Sequence, residues 1–199
     1  MDVQSLLPGG SVPGCVRQCP GGVGRNIAAA LGTLIGWSPD PLPAPRLVSL
    51  VGNDAAGDTL VRSCASAGVA ADLVRVVPLA RSPTVAVVLD GAGDVAVSVA
   101  DVGLMESAEA LTWIRAPAVA RALSQASWVV LDANLSAEAI AAAAAAAKHA
   151  GRPVWLEPVS EPKALRCLAS LPLAACVSPN RAELRAMAQA LGCGAAGPE

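Results

Sequence analysis

The chain has 199 residues, a formal net charge of −2 and 54% apolar residues, enough for one domain with a sizeable core. A charge this close to zero gives no basic footprint for nucleic acid or an acidic membrane surface, and no stretch approaches the roughly 20 apolar residues of a membrane span. Phe and Tyr are absent and four Trp are the only aromatics, so the core must be built from Val, Leu, Ile and Ala, with few platforms for stacked bases. The six cysteines, at 15, 19, 64, 167, 176 and 193, form no CxxC pair and read as reduced structural thiols of a cytoplasmic protein. Cys15 and Cys19 alone make no metal site, and the lone His149 reads as a surface residue.

Residues 1–20 are rich in Gly, Pro and Ser and read as irregular. Gly21-Gly22-Val23-Gly24-Arg25-Asn26 then opens an apolar helical run over residues 27–34. Glycines serve where the backbone turns with positive φ or a ligand approaches the main chain, and the free N–H groups of a helix start favour an oxygen-rich or anionic ligand. Asn26 adds a donor and an acceptor suited to sugar hydroxyls. The same residues without a ligand make an ordinary glycine-rich helix start. A dinucleotide fingerprint fits less well, because Ile27 stands where its third glycine would fall.

A proline-rich loop at 39–45 leads to an apolar strand over 47–51, closed by Gly52-Asn53-Asp54 and a helix over 57–67. Asp54 suits a helix N-cap as well as a substrate contact. Residues 73–77, 84–89 and 95–99 are β-branched strands, the last two joined by a hairpin turn at 90–94. Helices over 108–124, 136–150 and 161–170 alternate with strands over 127–132, 153–156 and 174–178, and Asn180 opens a last helix. That alternation predicts an α/β fold with a parallel sheet, whose strand ends are where ligands bind. Asp132, Asn134, Glu157, Asn180 and Glu183 all fall at those ends. Asn180 with Glu183 also spells a capping box that needs no metal, Glu157 also suits a fold-stabilising acid, and Lys163 reads as a surface charge.

Gly21-Gly22-Val23-Gly24-Arg25-Asn26-Ile27-Ala28 resembles the first signature of the PfkB (ribokinase-like) carbohydrate kinases, and its Val-Gly-Arg-Asn form is most similar to the pseudouridine kinase branch. The passage over 47–67, Asp132-Ala133-Asn134-Leu135, Glu157-Pro158-Val159-Ser160 with Lys163-Ala164, and Asn180-Arg181-Ala182-Glu183 resemble further segments in the same order. The resemblance covers nearly the whole chain. It implies a single, incomplete ribokinase-like domain over 1–199, with a parallel sheet flanked by helices and a small β-lid made of 73–77, 84–89 and 95–99. It also implies ATP-dependent phosphorylation of the 5′-hydroxyl of pseudouridine, with Mg²⁺ and, as an optional ion, K⁺. Asp2, Gly21, Gly22, Asn26 and Asn134 then resemble sugar-binding residues, and Thr84 and Asp101 lid residues facing the substrate. Glu157, Asn180 and Glu183 resemble groups that organise Mg²⁺ and phosphates, partly through water.

Gly91-Ala92-Gly93-Asp94 spells the family's catalytic signature, but that signature opens a helix and this one joins two strands. Asp94 is therefore a turn residue, and no catalytic residue is assigned. The resemblance thus implies a chain truncated at both ends, lacking the catalytic third and with little or no activity alone. Its partner would be a small nucleoside or sugar, with a homodimer or a fused pseudouridine-5′-phosphate glycosidase domain as the expected assembly. Two other readings stand beside it: another sugar or nucleoside kinase of the family, and a non-catalytic ligand- or partner-binding remnant.

Overall fold

The computed structural model describes residues 14–193. Its elements run α1 (Val23–Gly36), β1 (Arg46–Gly52), α2 (Ala55–Ser66), β2 (Ala70–Val77), β3 (Thr84–Leu89), β4 (Val95–Asp101), α3 (Ala108–Ile114) and α4 (Pro117–Gln125). They continue as β5 (Val129–Asp132), α5 (Ala137–His149), β6 (Val154–Glu157), α6 (Glu161–Ala164), β7 (Cys176–Val177) and α7 (Arg181–Ala190). The architecture is α/β: β1 pairs with β2 in parallel, β5, β6 and β7 form a parallel sheet in that order, and β3 and β4 form an antiparallel hairpin. Among the described residues no helix is long and apolar enough to cross a membrane.

The resemblance implies a lid that includes residues 73–77, whereas the pairing sets this strand in a parallel sheet with β1, apart from the hairpin. Ala70–Val77 lies parallel beside β1, with Val48 opposite Leu73 and Val51 opposite Val76. Leu73 is buried, its carbonyl accepts from Trp113 Nε1 at 3.1 Å, and Arg75 covers the Trp113 ring at 5.4 Å. β-Branched residues suit any half-buried pleated surface, so they do not tell a hairpin from a sheet strand. The separate hairpin is β3 with β4 alone, exposed along its whole length.

Two other boundaries differ for local reasons. The helix expected over 108–124 breaks into α3 and α4, because Ala116 before Pro117 takes an extended ψ of 145°. The helix expected over 161–170 is the short α6 followed by a 3₁₀ segment, Leu165–Leu173.

The larger core lies between the β5–β6 sheet and its helices. Val129, Leu131, Val154 and Leu156 point inward against Ile140, Ala143, Ala144 and Ala147 of α5. The alanine run contributes propensity and, because its side chains are short, close approach of helix to sheet. The opposite face carries the exposed Val130 and Trp155 beside Trp128, the two indoles edge-on at 6.4 Å. A smaller cluster of Ala28, Cys64 and Val69 joins α1 to α2.

Asp54 caps α2, accepting from Gly57 N at 2.8 Å. It also accepts from Ser82 Oγ at 2.6 Å and Ser82 N at 2.8 Å, which ties the base of the hairpin to the end of β1. Buried Ser82 in turn accepts from Gly52 N at 2.9 Å. The Ser82 hydroxyl first, then the Ser82 and Gly57 N–H groups, hold the Asp54 carboxyl below its ordinary value. A depressed folded-state value gives stability that is present above the unfolded value and lost as pH falls through the folded one. The stability gap between the wild-type chain and Asp54→Asn is therefore expected to be largest above roughly pH 4 and to shrink on acidification. Urea unfolding at a series of pH values measures it, and a constant gap down to pH 2 would refute the link.

Candidate functional site

The glycine loop is held by one charge of its own, Arg25, and by one that the local sequence does not supply, Asp132. Gly22 takes φ +91° at the N-cap of α1, and Asn26 N donates to its carbonyl at 2.8 Å. No side chain caps this helix locally and its first turn carries no acid. Instead, Gly24 N donates to Asp132 Oδ2 at 2.6 Å, across 108 residues. A Cβ on Gly24 would stand 3.0 Å from that oxygen. The anion expected at this helix start is thus a carboxylate of the chain itself.

Arg25 fixes the rest of the loop. Its guanidinium donates to Gly21 O at 3.1 Å, to Pro20 O, and to Asn26 Oδ1 at 2.5 Å. With Oδ1 engaged, the amide N–H₂ of the exposed Asn26 makes no hydrogen bond among the described residues. Gly21 and Gly22 are exposed beside it. Asp2 lies outside the described residues.

At the C-terminal ends of the second sheet, Asp132 and Glu157 are register partners on β5 and β6. Asp132 Oδ1 accepts from Asn134 N at 3.0 Å, and Asn134 Oδ1 accepts from Lys163 Nζ at 2.7 Å. Glu157 Oε2 accepts from Ser178 Oγ at 2.6 Å, and Trp155 Nε1 donates to that same hydroxyl at 2.6 Å. Asn180 and Glu183 form the full capping box of α7: Asn180 Oδ1 accepts from Ala182 N and Glu183 N, and Glu183 accepts from Asn180 N and Nδ2 at 2.8 Å each. Glu183 is buried, so both its oxygens serve the helix start.

Asn134, Glu157, Asn180 and Glu183 thus gather at one edge, joined to the glycine loop through Asp132. Buried Cys167 registers the same clustering. Its thiol is pushed up to about 11, first by burial and then by the Glu157, Asp132 and Glu183 carboxylates. It stays protonated and inert at neutral pH. All six cysteines are free thiols, and His149 is exposed at the end of α5.

Thr84 and Asp101 meet as cross-strand partners at the base of the hairpin, where Asp101 pairs with Arg81 at 2.6 Å. Asp94 sits in the hairpin turn, where Asp90 N donates to its carbonyl at 2.9 Å and its own N donates to Asp90 Oδ1 at 3.0 Å. No hydrogen bond among the described residues joins the hairpin strands to the strand-end cluster.

The sequence reads Lys163 as a surface charge, gives Arg25 no role of its own and places Asp132 at a strand end without a partner; the structure bonds them to Asn134, Asn26 and Gly24. A charged residue within or beside each motif was the available signal; the partners of Lys163 and Asp132 lie too far along the chain to be read. Among the described residues no three His, Cys, Asp or Glu side chains converge on a point that could hold a metal. Mg²⁺ commonly uses only one or two carboxylates, with phosphate oxygens and water completing its shell. Asp132 and Glu157, adjacent on neighbouring strands, suit that pattern; their oxygens, like those of the Asn180–Glu183 box, already accept hydrogen bonds from within the chain and have further lone pairs to offer.

Three comparisons bear on this arrangement. The family model described as pfkB family carbohydrate kinase matches residues 2–197. The chain is 34% identical over 185 residues to a pseudouridine kinase of Arabidopsis thaliana, covering 93% of this chain and 46% of that protein. It is 32% identical over 183 residues to a pseudouridine kinase of Escherichia coli (strain K12), covering 90% and 54%. Among solved structures, a carbohydrate kinase from Agrobacterium tumefaciens superposes with a TM-score of 0.76 at 25% identity, covering 92% of this chain and 56% of that one. The chain therefore spans about half the length of the curated relatives it matches.

Proposed function

The chain belongs to the pfkB family of carbohydrate kinases, and from that premise we propose that it serves ATP-dependent phosphorylation of the 5′-hydroxyl of pseudouridine. The observation that carries this reading is the identity of 34% and 32% to two pseudouridine kinases, over about nine-tenths of the chain in each case. The residues support a division of labour. Gly21, Gly22 and Asn26 bind the ribose, with Arg25 turning the Asn26 amide donor toward it. Asn134 faces the same ligand from the end of β5, and Thr84 and Asp101 approach it from the hairpin. Asp2 adds a carboxylate for ribose hydroxyls.

Phosphoryl transfer depends on positioning and on neutralising phosphate charge. Asp132 and Glu157 would hold Mg²⁺, which supplies that neutralisation when bound with ATP. Asn180 and Glu183 fix the start of α7 and reach the ion through water. A general base typically contributes about 10²- to 10⁴-fold in rate, and assaying ADP release from MgATP with pseudouridine measures how much of that the 199-residue chain supplies.

Sugar binding is the separable part. Pseudouridine is expected to raise the melting temperature of the chain, and Asn26→Ala to weaken binding at least about tenfold by removing a hydrogen bond to a polar ligand. Differential scanning fluorimetry with pseudouridine, uridine and ribose measures this. A shift with uridine or ribose and none with pseudouridine would move the assignment to another nucleoside or sugar kinase of the family.

A further inference from the structure

The sequence reads Lys163 as a surface charge, and its surroundings point elsewhere. The side chain is half-buried, and its ammonium makes one hydrogen bond, to the neutral Asn134 Oδ1 at 2.7 Å. Among the described residues the five ion pairs involve only arginines, so Lys163 has no carboxylate within salt-bridge distance. Its neighbour Arg166 is spent structurally, on the carbonyls of Ala133 and Leu135 and on Glu106 at 2.9 Å. An ordered ammonium loses the freedom of a long side chain, and one bond to an amide oxygen leaves two donors and the full charge unmatched.

The backbone supplies a second, independent sign. Val159, in the turn from β6 to α6, takes φ +70°. A β-branched residue in the left-handed region is a true outlier, and such strain collects at ligand-holding positions. Ser160 N donates to Pro158 O at 2.8 Å and Val159 N faces Glu157 Oε1 at 3.4 Å, so the turn is wound tightly onto the Glu157 carboxylate. This turn carries Lys163 across to the end of β5, within reach of Asn134.

We infer that Lys163 is a phosphate-binding residue, its ammonium held on Asn134 at the strand ends where the polyphosphate chain of the nucleotide arrives. This rests on the kinase reading above. The cation neutralises phosphate oxygens directly, while Asp132 and Glu157 on the same edge suit the magnesium ion that accompanies them.

The test is calorimetric binding of inorganic tripolyphosphate, and of MgATP, to the 199-residue chain. Lys163→Gln is expected to weaken both at least tenfold, the scale of a charge-assisted hydrogen bond, while Lys163→Arg retains affinity within about threefold. The melting shift given by pseudouridine should be retained in Lys163→Arg, which keeps a charged donor for Asn134. Lys163→Met, which keeps the packing of the stem, repeats the measurement if the Gln variant does not fold. Unaltered affinity in the neutral variants overturns the inference, as does absence of tripolyphosphate binding by the wild-type chain. Failure of the kinase reading has a different signature: no pseudouridine shift in the wild-type chain.

Discussion

Gly32→Ala is expected to destabilise the chain by about 3 kcal/mol, at the upper end of overpacking costs. For a domain of this size that lowers Tm by about 6–12 °C. Gly32 lies in α1 where the helix runs against the turn that ends α2. A Cβ there would stand 2.1 Å from the Ala67 carbonyl oxygen and 3.2 Å from the Gly68 backbone. That turn cannot retreat easily. Gly68 takes φ +70°, Gly68 N donates to Ala65 O at 3.1 Å, and Val69 N donates to Cys64 O at 2.9 Å. Moving it would also open the small cluster of Ala28, Cys64 and Val69. Gly36 in the same helix has nothing within 4 Å of the corresponding position, so Gly36→Ala should be neutral or stabilising by up to about 1 kcal/mol. Thermal and urea unfolding of the pair decides the matter: a Gly32→Ala chain melting alongside Gly36→Ala would mean the two helices do not approach this closely.

Asp132→Ala is the second large effect, and it should appear in both stability and ligand binding. The carboxylate accepts from Gly24 N at 2.6 Å with one oxygen and from Asn134 N at 3.0 Å with the other. Removing it leaves the start of α1 with no cap, since neither Gly22 nor the first turn supplies one. Hydrogen bonds to a charged group contribute about 1.5–3 kcal/mol, so a loss of about 2 kcal/mol is expected from denaturant unfolding. Gly22 and Asn26 would then lose their fixed position relative to β5, and pseudouridine affinity should fall at least about tenfold, since a small misplacement of a positioned group is costly. Asp132→Asn keeps an acceptor without the charge and should fall between the two. Amide exchange at Gly24 reports the same contact, and unchanged ligand affinity in Asp132→Ala would sever the proposed connection between strand end and glycine loop.

Asp132 also illustrates which links in this molecule were written locally. Helix starts with a capping residue of their own could be read in place: Asp54 before α2, Ser136 before α5 and the Asn180–Glu183 box before α7 each bond within three residues. The turn at Asp90 could be read for the same reason, since Asp90 Oδ1 accepts from Ala92 N and Asp94 N. The family signature at residues 21–28 marked a ligand loop, but its local chemistry suggested that the helix start waits for an outside anion. The fold delivers Asp132 there instead.

The sequence by itself determined the order of strands and helices, the caps, the hairpin turn and the family, because each rests on dihedral preferences and hydrogen bonds between near neighbours or on contiguous motifs. Only the tertiary structure decided that Ala70–Val77 pairs with β1 instead of joining the hairpin, that Asp132 anchors Gly24, and that Lys163 reaches Asn134. Strand propensity is indifferent to the partner strand, and a charged side chain finds its hydrogen-bond partner only when the chain returns to it, here after 108 and 29 residues.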